Sequence, residues 1–456
     1  MKKLKVHFLG GAGTVTGSKF HLQSEDINIL VDCGVFQGTK ELRQQNWQPL
    51  PIDVPKIDMV LLTHGHLDHC GYLPLLVKQG FEGDILGTAP TLAIAEIILK
   101  DSAKIHEEEA ERANEEGYSK HDPALPLYDQ EDVERTLNYF KSIEEGEQIE
   151  LAPNCSACFK YNGHIIGSTF IELNIQGKVL VFSGDVGRLK DDLLEAPLQP
   201  EWADYLFVES TYGDKDHPVE NLETIFKSLV ERTLQNRGTL IIPSFAVERL
   251  QSLMYMLWKL YDKNKIPNIP IFVDSPMGNN VLDVFGSFPE WHKLSMSEYH
   301  NMCNHVNLVS SYRETWETID DPRPKIVIAG SGMVTGGRVL TYLKQLMDLK
   351  STTVLLVGYQ AEETRGRKLL EGAQELKIFG KYIPVKAKIE HLESLSAHAD
   401  QSELLHWMGS IKNIPEKVFL IHGENEALQA FKDKIKEKYG WQIHVPELHE
   451  VVEIML

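Results

Sequence analysis

Nine short apolar runs, each stopped by a glycine or a polar residue, restrict the folds open to this chain. They read INILVDCG, MVLLTHGH, VLVFSGD, YLFVES, TLIIPSF, IPIFVDS, KIVIAGSG, TVLLVGY and KVFLIHGE. Apolar, β-branched runs of about four to six residues between turn signals read as strands buried on both faces. Longer helical patterns stand between many of them, as in TLAIAEIILKDSAKI and VERLQSLMYMLWKLYD. That alternation predicts an α/β protein with helices covering sheets. At 456 residues, two or three core-bearing units are expected.

Sheets of this kind place their chemistry where strands end and loops begin. His64, Asp185, Glu209 and His422 all stand at such ends. The stretch LLTHGHLDHCGYLPLL, residues 61–76, adds His66, Asp68 and His69 within six positions of one another. Clustered titratable groups beside buried strands carry a desolvation cost unless something compensates it. A borderline divalent cation such as zinc does so, because it takes imidazole and carboxylate ligands. In H-x-H-x-D-H, alternate residues project to one side, so His64 and His66 can grip one ion while Asp68 and His69 hold a second. His164 in YNGHIIGSTF and Asp185 in FSGDVGR are the candidates for completing the set, with Asp185 suited to bridging. Asp32 in VDCG is cast as a residue that orients a ligating histidine by hydrogen bonding.

Composition bears on the partner. The formal net charge is −20, which by itself argues against nucleic acid. The charge is uneven, however. Residues 101–150 carry 16 acidic and 5 basic side chains, a net of −11, whereas residues 213–390 carry 21 and 22, a net of +1. The acidic run HEEEAERANEEGY reads as a solvated helix face. Five cysteines make no disulfide framework, and Cys155 and Cys158 form a lone CxxC without the further ligands a zinc knuckle needs. The opening MKKLKVHFLGGAG has too short an apolar stretch for a signal peptide. No apolar run approaches the ~20 residues of a membrane span. A cytoplasmic protein with no membrane partner is expected.

LLTHGHLDHCGYLP, with Asp32 before it and His164 and Asp185 after it, resembles the metallo-β-lactamase superfamily. YLFVESTYGDKDH with Glu209, LSAHAD with His398 and VFLIHGE with His422 resemble motifs A, B and C of its β-CASP subfamily of nucleic-acid hydrolases. GAGTVTGS, DSAKIHEEEAE, IPSFAVER, GSGMVTGGR and VGYQAEETRGR are similar to the bacterial and archaeal relatives of the eukaryotic pre-mRNA cleavage endonuclease. The resemblance implies an αββα metallo-β-lactamase sandwich built from 1–212 and 389–456, with a parallel α/β β-CASP domain inserted at 213–388. Asp32 lies too near the start for the KH-like extension of archaeal relatives, and the sequence after His422 is too short for the long C-terminal domain of ribonuclease J, so neither is expected.

The resemblance further implies two zinc ions, one held by His64, His66, His164 and Asp185, the other by Asp68, His69, His422 and the shared Asp185. Catalytic roles fall on Asp68, Glu209 and His398. A hydroxide between the ions would attack phosphorus, and His398, oriented by Glu209, would protonate the departing ribose oxygen. Read alone, SAHAD is better taken as a helix start capped by Ser396 and LIHGE as an ordinary strand-to-turn exit; read in order with the metal set, they take the functional roles. Ser331 and Arg338 in GSGMVTGGR are candidates for contact with the nucleic-acid backbone, a structural turn being the alternative, and Arg365, Arg367 and Lys368 for a basic track. The expected activity is a zinc-dependent ribonuclease acting on single-stranded RNA in the cleft between the two domains. A hydrolase of small esters or lactams and a non-catalytic RNA-processing scaffold are the alternatives. Because the chain is acidic, a weak or short-range grip on RNA is expected, with a partner or a homodimer as a candidate source of further surface.

Overall fold

The computed structural model describes residues 3–117, 119–361 and 363–456. The first two residues of the opening stretch, Tyr118 at the end of the acidic run and Glu362 of VGYQAEETRGR lie outside the described residues. All nine apolar runs form strands. The chain divides into two compact units, Met1–Asp216 with His398–Leu456, and His217–Ala397.

The first unit holds two seven-stranded sheets. One runs Val451–Met455, Lys3–Phe8, Phe20–Gln23, Asn28–Val31, Met59–Leu61, Asp84–Thr88, Phe140–Ile143. The other runs Ile443–His444, Lys417–Ile421, Tyr205–Glu209, Lys178–Phe182, Thr169–Ile175, Cys155–Tyr161, Gln148–Ala152. Strand periodicity of two sorts their side chains. Tyr205 and Phe207 point into the core shared with the first sheet, whereas Leu206 and Val208 point the other way, onto Leu404, Trp407, Leu428 and Phe431 of the helices Gln401–Met408 and Asn425–Tyr439. A strand covered on both faces reads as one apolar run, which is why YLFVE and KVFLI are so plain in the sequence.

Phe207 is the centre of the shared core. Its ring stacks on Phe182 at 4.2 Å and on Phe419 at 4.6 Å between centroids, and it is fully buried. Phe207→Ala leaves a cavity between two sheets that cannot easily collapse. A stability loss of about 3–5 kcal/mol is expected in denaturant unfolding.

The second unit is a six-stranded sheet ordered Asn307–Leu308, Ile271–Asp274, Lys325–Ala329, Thr239–Pro243, Thr353–Val357, Lys388–Leu392, with every neighbouring pair parallel. Leu222–Gln235 leads into its first strand, helices including Arg249–Asp262 and Val339–Leu346 join later ones, and a small antiparallel hairpin, Glu375–Ile378 with Lys381–Pro384, precedes Lys388–Leu392 in sequence. The acidic run forms the C-terminal part of the helix Ala89–Glu116, mostly exposed, ending at Gly117 in the left-handed conformation. No helix among the described residues is long and apolar enough to cross a membrane.

Parallel pairing decides where the chemistry gathers. Asn28–Val31 and Met59–Leu61 are parallel neighbours, as are Lys178–Phe182, Tyr205–Glu209 and Lys417–Ile421. Each set of strands therefore releases its chain at one edge. Asp32, His64, Asp185, Glu209 and His422 stand at those exits.

Candidate metal centre

The backbone turns sharply at these exits. Asp32 and His422 adopt φ of 56° and 48°, a left-handed conformation that non-glycine residues seldom hold. The turn at Asp32 is fixed by its N–H donating to Leu61 O, and that at His422 by its N–H donating to Gly11 O. Gly65, between the first two histidines, lies against a helix: a Cβ there would stand 2.8 Å from Ile94 Cγ2 and 2.9 Å from the Ala95 nitrogen. Glycine lets the loop pass between helix and sheet, and His66 then leads into the short helix Leu67–Cys70 that carries Asp68 and His69.

Two groups of side chains converge. In the first, His66 Nδ1 lies 3.1 Å from His64 Nε2 and 3.2 Å from His164 Nε2, and Asp185 Oδ2 lies 3.4 and 3.5 Å from those same Nε2 atoms. In the second, Asp68 Oδ2 is 3.3 Å from His422 Nε2, and the other Asp185 oxygen, Oδ1, is 3.3 Å from His69 Nε2. Each group meets the distances of a cation-binding set. Zinc bonds of about 2.0–2.1 Å at tetrahedral angles put donor atoms roughly 3.3–3.4 Å apart. Four of the six donor–donor distances in the first group fall at 3.1–3.5 Å, close to that spacing.

Hydrogen bonds outside the groups hold the rings in place. Asp32 Oδ2 lies 2.8 Å from His69 Nδ1 and takes the Thr63 hydroxyl at 2.8 Å, while Asp32 Oδ1 accepts the Thr63 N–H. Thr63 Oγ1 also stands 3.1 Å from His64 Nδ1, and Thr211 Oγ1 stands 3.0 Å from His422 Nδ1. Tying Nδ1 of His64 and His69 outward leaves Nε2 facing inward. His69 Nε2 and Asp185 Oδ1 are buried, 3.3 Å apart, and neither completes a hydrogen bond. An unmatched buried polar atom costs about 1–3 kcal/mol. Two such atoms aimed into one space fit a bound cation.

Electrostatics agree with that fit. Burial, helped by His69, pushes His64 down to about 3, and burial lowers His66 to about 4 against the pull of Asp68 and Asp185. Burial also holds His164 well below the usual histidine range. These rings are neutral at pH 7, so a metal displaces no proton from them. Burial opposes charge on His69 and Asp185 as well, but there the partners win. Asp185 and Asp32 raise His69, while His422, His69 and His64 keep Asp185 ionised.

A third group joins Asp185, Glu209 and His398. His398 Nδ1 is 3.2 Å from Glu209 Oε1, and its Nε2 is 4.0 Å from Asp185 Oδ2. Glu209 is fully buried and accepts the N–H of Val186 at 2.7 Å and of Thr211 at 3.2 Å. Burial opposes the charge on His398, yet Glu209 and Asp185 outweigh it and lift its pKa to about 9.

Other sequence candidates have local partners of their own. Ser331 Oγ accepts the N–H groups of Thr335 and Gly336, closing a turn. Arg338 donates to Thr315 Oγ1 at 2.6 Å and stacks 3.7 Å from the Tyr312 ring. Arg365 binds the carbonyls of Lys377 and Thr335, and Arg367 pairs with Glu371. The helix after LSAHAD begins at Gln401 with Asp400 as its cap, not Ser396, because Asp400 and Glu403 form a reciprocal capping box. Cys155 and Cys158 lie three apart on one strand and so face opposite ways. Thr63 and Thr211 escaped the sequence reading. Their only signal is position, one directly before His64 and the other two after Glu209.

Comparison with known proteins bears on the whole chain. Residues 21–201 match the metallo-beta-lactamase superfamily domain, residues 250–369 the Beta-Casp domain, and residues 382–446 the Zn-dependent metallo-hydrolase RNA specificity domain. A ribonuclease from Thermus thermophilus, TTHA0252, is 34% identical over 452 residues, covering 98% of this chain and 99% of its own. The chain belongs to the β-CASP family. As a member it is a metal-dependent hydrolase of the nuclease class. An RNase J-like protein of Methanocaldococcus jannaschii is 30% identical over 93% of both chains. The transcription termination factor FttA of the same organism is 30% identical over 97% of this chain and 70% of its own. A crystal structure of a protein of unknown function from Enterococcus faecalis shares the fold, with a TM-score of 0.55 over 99% of this chain at 14% identity.

His422 Nε2 stands 3.3 Å from Asp68 Oδ2, nearer than His69 Nε2 at 4.0 Å, so His422→Ala takes a donor from the second group. Elemental analysis of the purified variant is expected to show about one ion lost per chain, with the His64, His66 and His164 group still loaded.

Proposed function

We propose that the chain is a zinc-dependent ribonuclease that hydrolyses phosphodiester bonds of single-stranded RNA, using two ions per chain. One observation carries this reading: the two oxygens of Asp185 face different donor groups, Oδ2 toward His64 and His164, and Oδ1 toward His69. The first ion would take His64, His66, His164 and Asp185. The second would take Asp68, His69, His422 and the same Asp185. Bound there, the ions supply Lewis acidity toward a phosphoryl oxygen and a nucleophile at neutral pH.

The chain's own side chains do the rest. Asp32 and the threonine hydroxyls fix which nitrogen of each ring faces inward. His398, protonated at Nε2, gives its proton to the ribose oxygen as the phosphorus–oxygen bond breaks. Glu209 accepts the Nδ1–H and steadies the imidazolium. RNA as substrate follows the Thermus thermophilus relative, named a ribonuclease, and the RNA specificity domain matched at 382–446.

The test is direct. Zinc-loaded protein is incubated with end-labelled single-stranded RNA, the matching DNA and a chromogenic lactam. Cleavage of RNA that stops on chelation and returns with zinc is the expected result. Turnover of the lactam with intact RNA would overturn the proposal. Product lengths from 5′-phosphorylated and 5′-hydroxyl RNA then separate internal cutting from trimming at a 5′ end.

A further inference from the structure

Lys19 lies in the GAGTVTGSK stretch, outside the groups described above, and it is only 1% exposed. Its Nζ donates to the carbonyls of Gly17 at 2.9 Å and Gly34 at 2.5 Å. The ammonium stands 4.4 Å from the centre of the Phe36 ring and 5.2 Å from that of Tyr72. Burial lowers its pKa to about 8. A buried ammonium held by carbonyls, with no carboxylate partner among the described residues, is an expensive residue to place in a core.

Its position explains the expense. The two carbonyls belong to two loops that both grip the backbone of Asp68 and His69. Ser18 N–H donates to Asp68 O at 2.9 Å, Cys33 N–H to His69 O at 2.7 Å, and Val35 N–H to Leu67 O at 3.2 Å. Gly34 N–H donates to Ser18 O, so the loops also hold each other. The packing is tight enough that a Cβ at Gly34 would stand 1.7 Å from Asp68 O. The second loop also carries Asp32, which orients His69.

We infer that Lys19 is a positioning residue for the ion assigned to Asp68, His69 and His422, acting by tying together the two loops that clamp the 67–69 backbone. Without the ammonium, two carbonyls inside an aromatic shell lose their donor, and the loops part to reach water or new partners. Asp68 and His69 then lose their fixed aim. His64 and His164 follow the strands Met59–Leu61 and Cys155–Tyr161 and keep theirs, and with Asp185 they hold the first group even if His66, directly before the clamped helix, shifts.

The inference rests on the two-ion reading above, and its test separates the two. Metal-stripped wild type, Lys19→Met and Lys19→Gln are titrated with zinc against a chromophoric chelator. Folding is followed by circular dichroism and thermal melting. In Lys19→Met one ion is expected to bind as in wild type and the other about tenfold to 100-fold more weakly, the range seen when a ligand loses its support. Lys19→Gln keeps a donor without the charge and falls between. Should Lys19→Met fail to fold, Lys19→Gln decides. A folded variant with both ions at wild-type affinity overturns the inference, as does equal weakening of both ions, the mark of general loosening. A wild type that takes up only one ion overturns the two-ion reading and the inference together.

Discussion

Asp185→Ala is expected to lose both ions and with them all measurable turnover. Among the described residues, Asp185 is the one carboxylate within 3.5 Å of donor nitrogens in both groups, touching His64, His164, His69 and His422. Loss of a supporting residue that only orients a ligand costs about 10–100-fold in metal affinity. Loss of a donor shared by two ions should cost more than about 100-fold at each. The charge balance points the same way. Asp185 is the largest source of the raised pKa of His69 and one of those acting on His398, so its removal leaves several rings facing two cations with less negative charge among them. Asp185→Asn keeps the shape and removes the charge. If it too emerges metal-free, as expected, charge rather than packing is responsible. Elemental analysis on folded protein checks the result, and a variant that retains two ions per chain with normal turnover would remove Asp185 from the centre.

The parts of this centre differ in how plainly the sequence announces them, and the difference has a physical cause. His64 and Asp185 follow strands buried on both faces, so an apolar run marks where each side chain leaves the core. His164 follows Cys155–Tyr161, a strand with mixed burial, and stood in the sequence only as a candidate for completing the set. The strand Lys3–Phe8 alternates exposed and buried residues and pairs with Val451–Met455 at the far end of the chain. No local pattern can show that pairing, because its energy lies in contacts between distant segments. Thr63, Thr211 and Lys19 were hidden for another reason. Their roles come from what their side chains meet in three dimensions, and threonine and lysine are common on any surface. Ser331 illustrates the reverse case. A glycine-rich loop with a serine looks like an anion cradle in sequence, yet the hydroxyl is spent on the loop's own N–H groups.

His398→Ala should separate chemistry from metal binding. The residue is 4.0 Å from Asp185 and belongs to neither of the two proposed ion sets, so both ions are expected to remain. Turnover of RNA should fall by about 10²–10⁴-fold, the usual contribution of a placed general acid. The pH dependence follows from the sign of the shift. A pKa raised to about 9 keeps the acid form present at neutral pH, and it is lost as pH climbs through that value, giving a falling alkaline limb. The two proposed cations would oppose the imidazolium charge, so the limb is expected below 9 in the loaded enzyme. Glu209→Gln takes away the strongest favourable charge on His398, so the limb should move further toward acid. The decisive contrast lies in the leaving group. A ribose oxygen needs a proton to depart, whereas nitrophenolate does not. His398→Ala is therefore expected to cleave a nitrophenyl phosphodiester at close to the wild-type rate while RNA cleavage collapses. If both substrates slow equally, His398 acts on something other than the departing oxygen, and its proposed proton transfer is wrong.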